Sequence, residues 1–325
     1  MGKKKELILH IGRAKSGTSA LQTYLTEQRE RLAAAGICYP KSGCNGAAAH
    51  HAVALACRNA TPSSTELQLM RDAFEAETDP FETIIVSSEA FQNVRSPQNL
   101  EFFFRRPARH VLNRVLSTGR HSPYAIKVIC YIREFLEFAS SSYTQKVHAN
   151  GYVDSLEGYC RTHFRRPLAS LVELWRRFAD ESVFVYYDRK RLLNQDIVED
   201  FFSHAGLTSP APSSSHDANP SISGNLLAFK LLLNHDGCHS MELYNTFSEL
   251  ARLDPRYRGK IFLSDALARD LRASDGGYNA QLTELEGAIE LHAFENGNRF
   301  DPAMWATDLE RFLAHPELAS LKDRP

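Results

Sequence analysis

Four short stretches of the chain, residues 7–11, 83–87, 125–132 and 182–187, are apolar on successive positions and rich in Ile and Val. Such runs, without strict alternation, predict strands buried on both faces, the pattern of a parallel sheet. Between them apolar residues recur at intervals of three and four. Ala20, Leu21, Tyr24, Leu25 and Leu32 follow the first run, and Phe135, Leu136, Phe138, Ala139 and Tyr143 follow the third. Leu168, Leu171, Val172, Leu174, Trp175 and Phe178 lead into the fourth. Each set predicts a helix with one apolar face. Alternating strands and helices imply βαβ crossovers, hence an α/β fold with a doubly wound parallel sheet. From Ile222 the pattern is helical, opening with Leu226, Leu227, Phe229, Leu231 and Leu232, so 222–325 is expected to be a helical C-terminal part. Residues 208–220, rich in Ser and Pro, read as a loop that is either a linker or a lid. No second segment stands apart, and 1–325 is expected to form a single domain.

Charge narrows the functional classes. Lys plus Arg number 38 and Asp plus Glu 39, for a net charge of −1. That balance excludes a globally basic nucleic-acid coat and a polyanionic tail protein, so affinity for a polyanion must come from local clustering. One cluster stands out: Arg105, Arg106, Arg109, Arg114, Arg120 and Lys127 face only Glu101 within 101–127, with His110 and His121 alongside. It reads as a basic insertion at about 100–125, either a solvated surface paired with acids elsewhere or a patch for an anionic substrate. Six cysteines, without a C-x-x-C pair, fit reduced thiols of a cytoplasmic protein and offer no paired zinc ligands. No apolar run approaches the roughly 20 residues of a membrane span. The lysine-rich start runs directly into the first strand, without a signal-peptide core. A cytoplasmic protein with neither a membrane span nor a nucleic-acid partner is expected.

The clearest chemical signal is Leu7-Ile-Leu-His-Ile-Gly-Arg-Ala-Lys-Ser-Gly-Thr-Ser-Ala-Leu-Gln22. An apolar strand runs through a short loop bounded by Gly12 and Gly17 into a helix. Amides of Ser16, Gly17, Thr18 and Ser19 would converge at the helix N-terminus, where unpaired N–H groups and the helix dipole favour an anion. Arg13 and Lys15 add cations; Thr18 and Ser19 add hydroxyls. The spacing Gly12-x4-Gly17 is that of a P-loop, but Thr18 stands where the Walker lysine belongs and the lysine lies within the loop at position 15.

At these residues the chain resembles the sulfotransferases that use 3′-phosphoadenosine 5′-phosphosulfate (PAPS). Their 5′-phosphosulfate loop, Lys-(Ser/Thr)-Gly-Thr-(Thr/Ser), is matched by Lys15-Ser16-Gly17-Thr18-Ser19. The continuation Ala20-Leu21-Gln22 is similar to the bacterial and glycan-modifying branch. The family's 3′-phosphate element is a strand ending in Arg with a Ser eight residues later, and Val128-Ile-Cys-Tyr-Ile-Arg133 followed by Ser141 matches it. The Arg-Lys-Gly loop of the cytosolic aryl and steroid branch has no counterpart here. The resemblance implies a PAPS-dependent sulfotransferase, with PAPS as donor and 3′-phosphoadenosine 5′-phosphate (PAP) as product; no metal is required in principle, since Lys15 can offset charge developing on the bridging oxygen. The acceptor it implies is a hydroxyl or amine, of a carbohydrate or glycolipid.

Lys15 is assigned the charge developing on the departing phosphate. The base that takes the acceptor's proton is either Glu89, just past the second predicted strand, or His50 in the pair His50-His51. Tyr186 and Tyr187, at the end of the fourth strand, are either adenine-stacking or core residues. Two other readings stay open: a P-loop nucleotide kinase or NTPase, which would use magnesium, and a non-catalytic nucleotide-binding protein.

Overall fold

The computed structural model describes residues 4–13, 16–44, 46–58, 65–95, 97–105, 123–163, 168–212, 221–287 and 289–321. Its main elements in chain order are β1 (Lys5–His10), α1 (Thr18–Glu27), α2 (Arg29–Ala34), β2 (Ile37–Cys38), α3 (His51–Arg58), α4 (Thr65–Thr78), β3 (Thr83–Ser87), β4 (Tyr124–Ile132), α5 (Phe135–Asn150), α6 (Leu168–Phe178), β5 (Glu181–Tyr186), α7 (Ile197–Ala205), α8 (Gly224–His235), α9 (Met241–Leu253), α10 (Asp265–Ala273) and α11 (Trp305–Leu313). Further short helices lie between them. The chain divides into two compact units: Met1–Arg133 with Pro167–His216 and Gln281–Gly287, and Glu134–Arg166 with Asp217–Ala280 and Ala288–Pro325.

The first unit is α/β. Its five strands are all parallel, in the order β2-β3-β1-β4-β5. β1 is central, with Leu7 opposite Ile84 of β3 and opposite Ile126 of β4. Flanked on both edges and covered on both faces, Leu7, Ile8 and Leu9 are fully buried, which is why the run is apolar at every position. Ile8, Ile85, Ile129 and Tyr131 share one face with Leu21 and Leu25 of α1 and Phe201 and Phe202 of α7. Leu7, Leu9, Ile84 and Val86, equally buried, point to the opposite face by strand alternation. Phe74, Phe91, Phe103, Phe104 and Trp175 form a linked set of edge-on and tilted aromatic contacts in the same unit.

β2 has no counterpart in the hydrophobic pattern. It is two residues long, enters from Gly36 at φ 79°, and pairs only through Ile37 and Cys38 with β3. The charged residues at the rim of the sheet pair with acids. Arg105 reaches Asp180 and the carbonyl of Phe178, and Lys127 lies 2.9 Å from Glu181. The rest of the basic cluster, including Arg106, Arg109, Arg114, Arg120, His110 and His121, lies outside the described residues.

The second unit is helical among its described residues. Leu226, Phe229 and Leu233 of α8 pack with Phe247 and Leu250 of α9, and Phe312 of α11 stacks on Phe229 at 5.5 Å. Asp308 accepts from Asn225 Nδ2 at 2.7 Å and from Tyr257 at 2.5 Å. Glu134 caps α5, and Gly151 at φ 67° ends it. All six cysteines are free thiols. Among the described residues no helix is long and apolar enough to cross a membrane.

Candidate functional site

The carboxyl ends of β1, β3 and β4 lie side by side, and the loop after β1 runs on between its neighbours. Ile11 N donates to Ile129 O at 3.0 Å and Arg13 N to Tyr131 O at 3.3 Å. On the other side Ser88 N donates to His10 O at 3.0 Å. Only glycine fits position 12, because a Cβ there would lie 2.7 Å from His10 Nε2 and 2.8 Å from Thr18 Cγ2. Gly17, at φ 76°, heads α1 without a side-chain cap, and the first helical bond runs from Leu21 N to Gly17 O. The amides of Thr18, Ser19 and Ala20 therefore precede the helical ladder at the positive end of the dipole.

The sequence-predicted loop residues divide. Thr18 is buried and Ser19 exposed. Ser16 is fully buried, and both its amide (3.3 Å) and its hydroxyl (2.5 Å) donate to Arg13 O. Ser16 is thus a brace of the loop rather than a phosphate donor, a role that only its close return on Arg13 reveals. Arg13 is buried as well. Lys15 lies outside the described residues.

Arg133 follows directly on β4. Its guanidinium carbon sits 4.7 Å from the ring centroid of Tyr187. Its Nε is buried and has no hydrogen-bond partner among the described residues. Ser141 belongs to the second unit, half-buried on α5. Ser140 beside it is buried and donates to Glu137 O at 3.2 Å.

Glu89 opens a short 3-10 turn, Glu89–Asn93, capped by Ser88, whose hydroxyl accepts from Ala90 N at 3.2 Å. The Glu89 carboxylate accepts from Gln22 Nε2 at 3.0 Å, and Gln22 lies one helical turn beyond Thr18 on α1. His51 Nε2 stands 3.7 Å from the other carboxylate oxygen, and its Nδ1 is 2.8 Å from Ser88 Oγ. Glu89 keeps 27% of its side chain exposed and His51 41%, so both reach solvent.

The adjacent His50 is a correction to the expected base. It is fully buried, its Nδ1 accepts from Ser87 N at 3.2 Å, and its Nε2 lies 3.0 Å from Pro40 O. Since Nδ1 accepts an amide proton, Nε2 carries the hydrogen and donates to the carbonyl. Burial pushes its pKa down to about 4, so it is neutral and both nitrogens are committed to backbone. It ties the segment before α3 to β3. His10, at the end of β1, is likewise fully buried and pushed down to about 3. Its Nδ1 is 2.8 Å from Ser87 Oγ, which also accepts from Gln22 at 3.2 Å. Asp188, two residues beyond β5, is buried and accepts from Lys190 N at 3.1 Å.

Sequence reasoning missed Gln22 as the partner of Glu89, although its place four residues after Thr18 puts it on the loop's face of α1. It also left Tyr187 between two roles. Comparison of this chain with protein-family models, with curated proteins and with solved structures finds no match. The class defined is an α/β protein with a five-stranded parallel sheet and a glycine-bounded loop at its central strand.

Proposed function

We propose that this protein is a sulfotransferase that moves the sulfuryl group of PAPS to a hydroxyl or amine acceptor. The acceptor class favoured by the branch resemblance is a carbohydrate or glycolipid. In this reading the loop of residues 12–19 is a P-loop-like cradle for the 5′-phosphosulfate. The observation that carries it is the convergence at the ends of three neighbouring strands: uncapped α1 amides after β1, the guanidinium of Arg133 after β4, and the carboxylate of Glu89 after β3. Ligands of open parallel sheets bind in the crevice at such carboxyl ends.

Each group has a task in the reaction. Bound PAPS supplies an activated sulfuryl group on a phosphate leaving group. The amides of Thr18 and Ser19 and their hydroxyls hold the 5′-phosphate, favoured by the helix dipole. Lys15, by its place in the motif, offsets charge on the bridging oxygen as the sulfur–oxygen bond to the phosphate breaks. Arg133 offers a buried Nε donor with no protein partner among the described residues, a fit for an oxygen of the 3′-phosphate. Glu89 takes the acceptor's proton as the acceptor forms its bond to sulfur, held ready by the Gln22 amide.

Calorimetric titration tests this directly. Wild type is expected to bind PAP tightly without metal and more tightly than ATP with magnesium, and Arg133→Ala to weaken PAP at least tenfold. Preference for ATP, or indifference to Arg133→Ala, would overturn the sulfotransferase reading in favour of a nucleotide kinase.

A further inference from the structure

The two phosphate-binding elements of the proposed site share one side chain. Tyr187 is the first residue after β5, and its amide donates to Ile132 O at 2.8 Å, which sets it beside Arg133. One face of its ring lies under the Arg133 guanidinium, 4.7 Å from centroid to carbon. Its edge lies against the loop: a Cβ on Gly17 would stand 3.0 Å from both Cε2 and the hydroxyl oxygen of Tyr187. The ring is held from behind, edge-on to Tyr131 at 6.2 Å, and Tyr131 is anchored by a 2.7 Å hydrogen bond to Asp200.

Resting on the sulfotransferase reading, we propose that Tyr187 sets the spacing between the 5′- and 3′-phosphate sites and thereby the preference for a 3′-phosphorylated nucleotide. An arginine has many rotamers, and something must choose one. Among the described residues no carboxylate pairs with Arg133, so the aromatic face is what orients it. A carboxylate would hold the guanidinium equally well but would cancel its charge. A ring holds it and leaves the N–H edge and the full charge for an anion. Because the same ring touches Gly17, the loop and the arginine cannot drift apart independently. A nucleotide with both phosphates then meets two sites already at a set separation, while one with only a 5′-phosphate uses the loop alone.

The test compares PAP with adenosine 5′-monophosphate (AMP) by calorimetry on the full chain. Wild type is expected to prefer PAP by more than tenfold. Tyr187→Met keeps most of the volume but removes the ring, and should cut that preference by roughly five- to tenfold. AMP affinity should change by less than threefold, which also reports an intact loop. In an Arg133→Ala background Tyr187→Met should lower the preference no further. A series of increasingly fluorinated phenylalanines at 187 is nearly isosteric and decides the matter if the Met variant fails to fold: the preference should fall stepwise with fluorination. If wild type prefers PAP but neither Tyr187→Met nor the fluorinated series lowers the preference, the role of Tyr187 is overturned and the sulfotransferase reading stands. If wild type shows no preference for PAP over AMP, that reading fails, and the inference with it.

Discussion

Glu89 and Glu134 occupy equivalent places in the chain, each two residues beyond the end of a buried parallel strand. Their surroundings are opposite. Glu134, in the second unit, is completely buried and accepts from Glu137 N at 3.0 Å, Arg272 Nε at 3.0 Å and Asn279 Nδ2 at 2.9 Å. Glu89, in the first unit, has one firm donor, Gln22, and a histidine at 3.7 Å, and it remains partly open. A carboxylate that is completely buried and holds three donors is closed to a substrate and acts as structure, whereas an under-coordinated one that reaches solvent can exchange a proton. Position after a strand makes both candidates; the donor count separates them.

The sharpest way to break the contrast is to neutralise each. Glu89→Gln keeps the hydrogen bonding with Gln22 possible but removes the base, so sulfuryl transfer is expected to fall by roughly 10²–10⁴-fold. Its melting temperature should hardly move. Glu134→Ala should behave in reverse. It leaves the Arg272 guanidinium, 17% exposed, without its carboxylate, at an expected cost of about 3–5 kcal/mol in stability by urea unfolding. Should Glu134→Ala prove neutral in stability, or Glu89→Gln retain full turnover, the distinction between the two carboxylates is lost.

Next in size is pH. His10 and His50 titrate near 3 and 4 in the folded chain against 6.5 for a free imidazole. As the pH falls below 6.5 the unfolded chain therefore takes up protons that the folded one refuses. Stability from keeping these rings neutral is complete above 6.5 and is lost downward toward about 4, by up to ~1.4 kcal/mol per pH unit for each ring. His50→Asn should remove one proton's share of that slope in unfolding experiments between about pH 4.5 and 7.5. An unchanged slope would show that His50 is not held neutral, and would return it to the list of possible bases.

The smallest effect sharpens the reading of the basic residues at the sheet rim. Glu181→Ala breaks the pair with Lys127, whose partner carboxylate is 59% exposed, and should change stability by no more than about 1 kcal/mol. A larger loss would mean that this rim pair is screened from solvent.

The fold was largely legible in the sequence, because strands buried on both faces must be apolar at every position and helices must repeat every three or four. The pattern located β1, β3, β4 and β5 to within about two residues, together with the opening of α8. β2 escaped because two residues make no period. The glycine loop was legible too: Gly12 and Gly17 are demanded by close approach and by a left-handed backbone, both local matters. What the tertiary structure alone decided is which polar groups are spent. His50 and His51 are chain neighbours of one type, yet the first is consumed by Ser87 and Pro40 and the second faces Glu89. Ser16 is consumed by Arg13, Glu134 by Arg272 and Asn279, and Tyr187 joins Gly17 to Arg133. Apolar periodicity is written residue by residue along the chain. Hydrogen-bond saturation depends on donors that arrive from distant segments, and only the folded chain brings them to the same carboxylate, imidazole or ring.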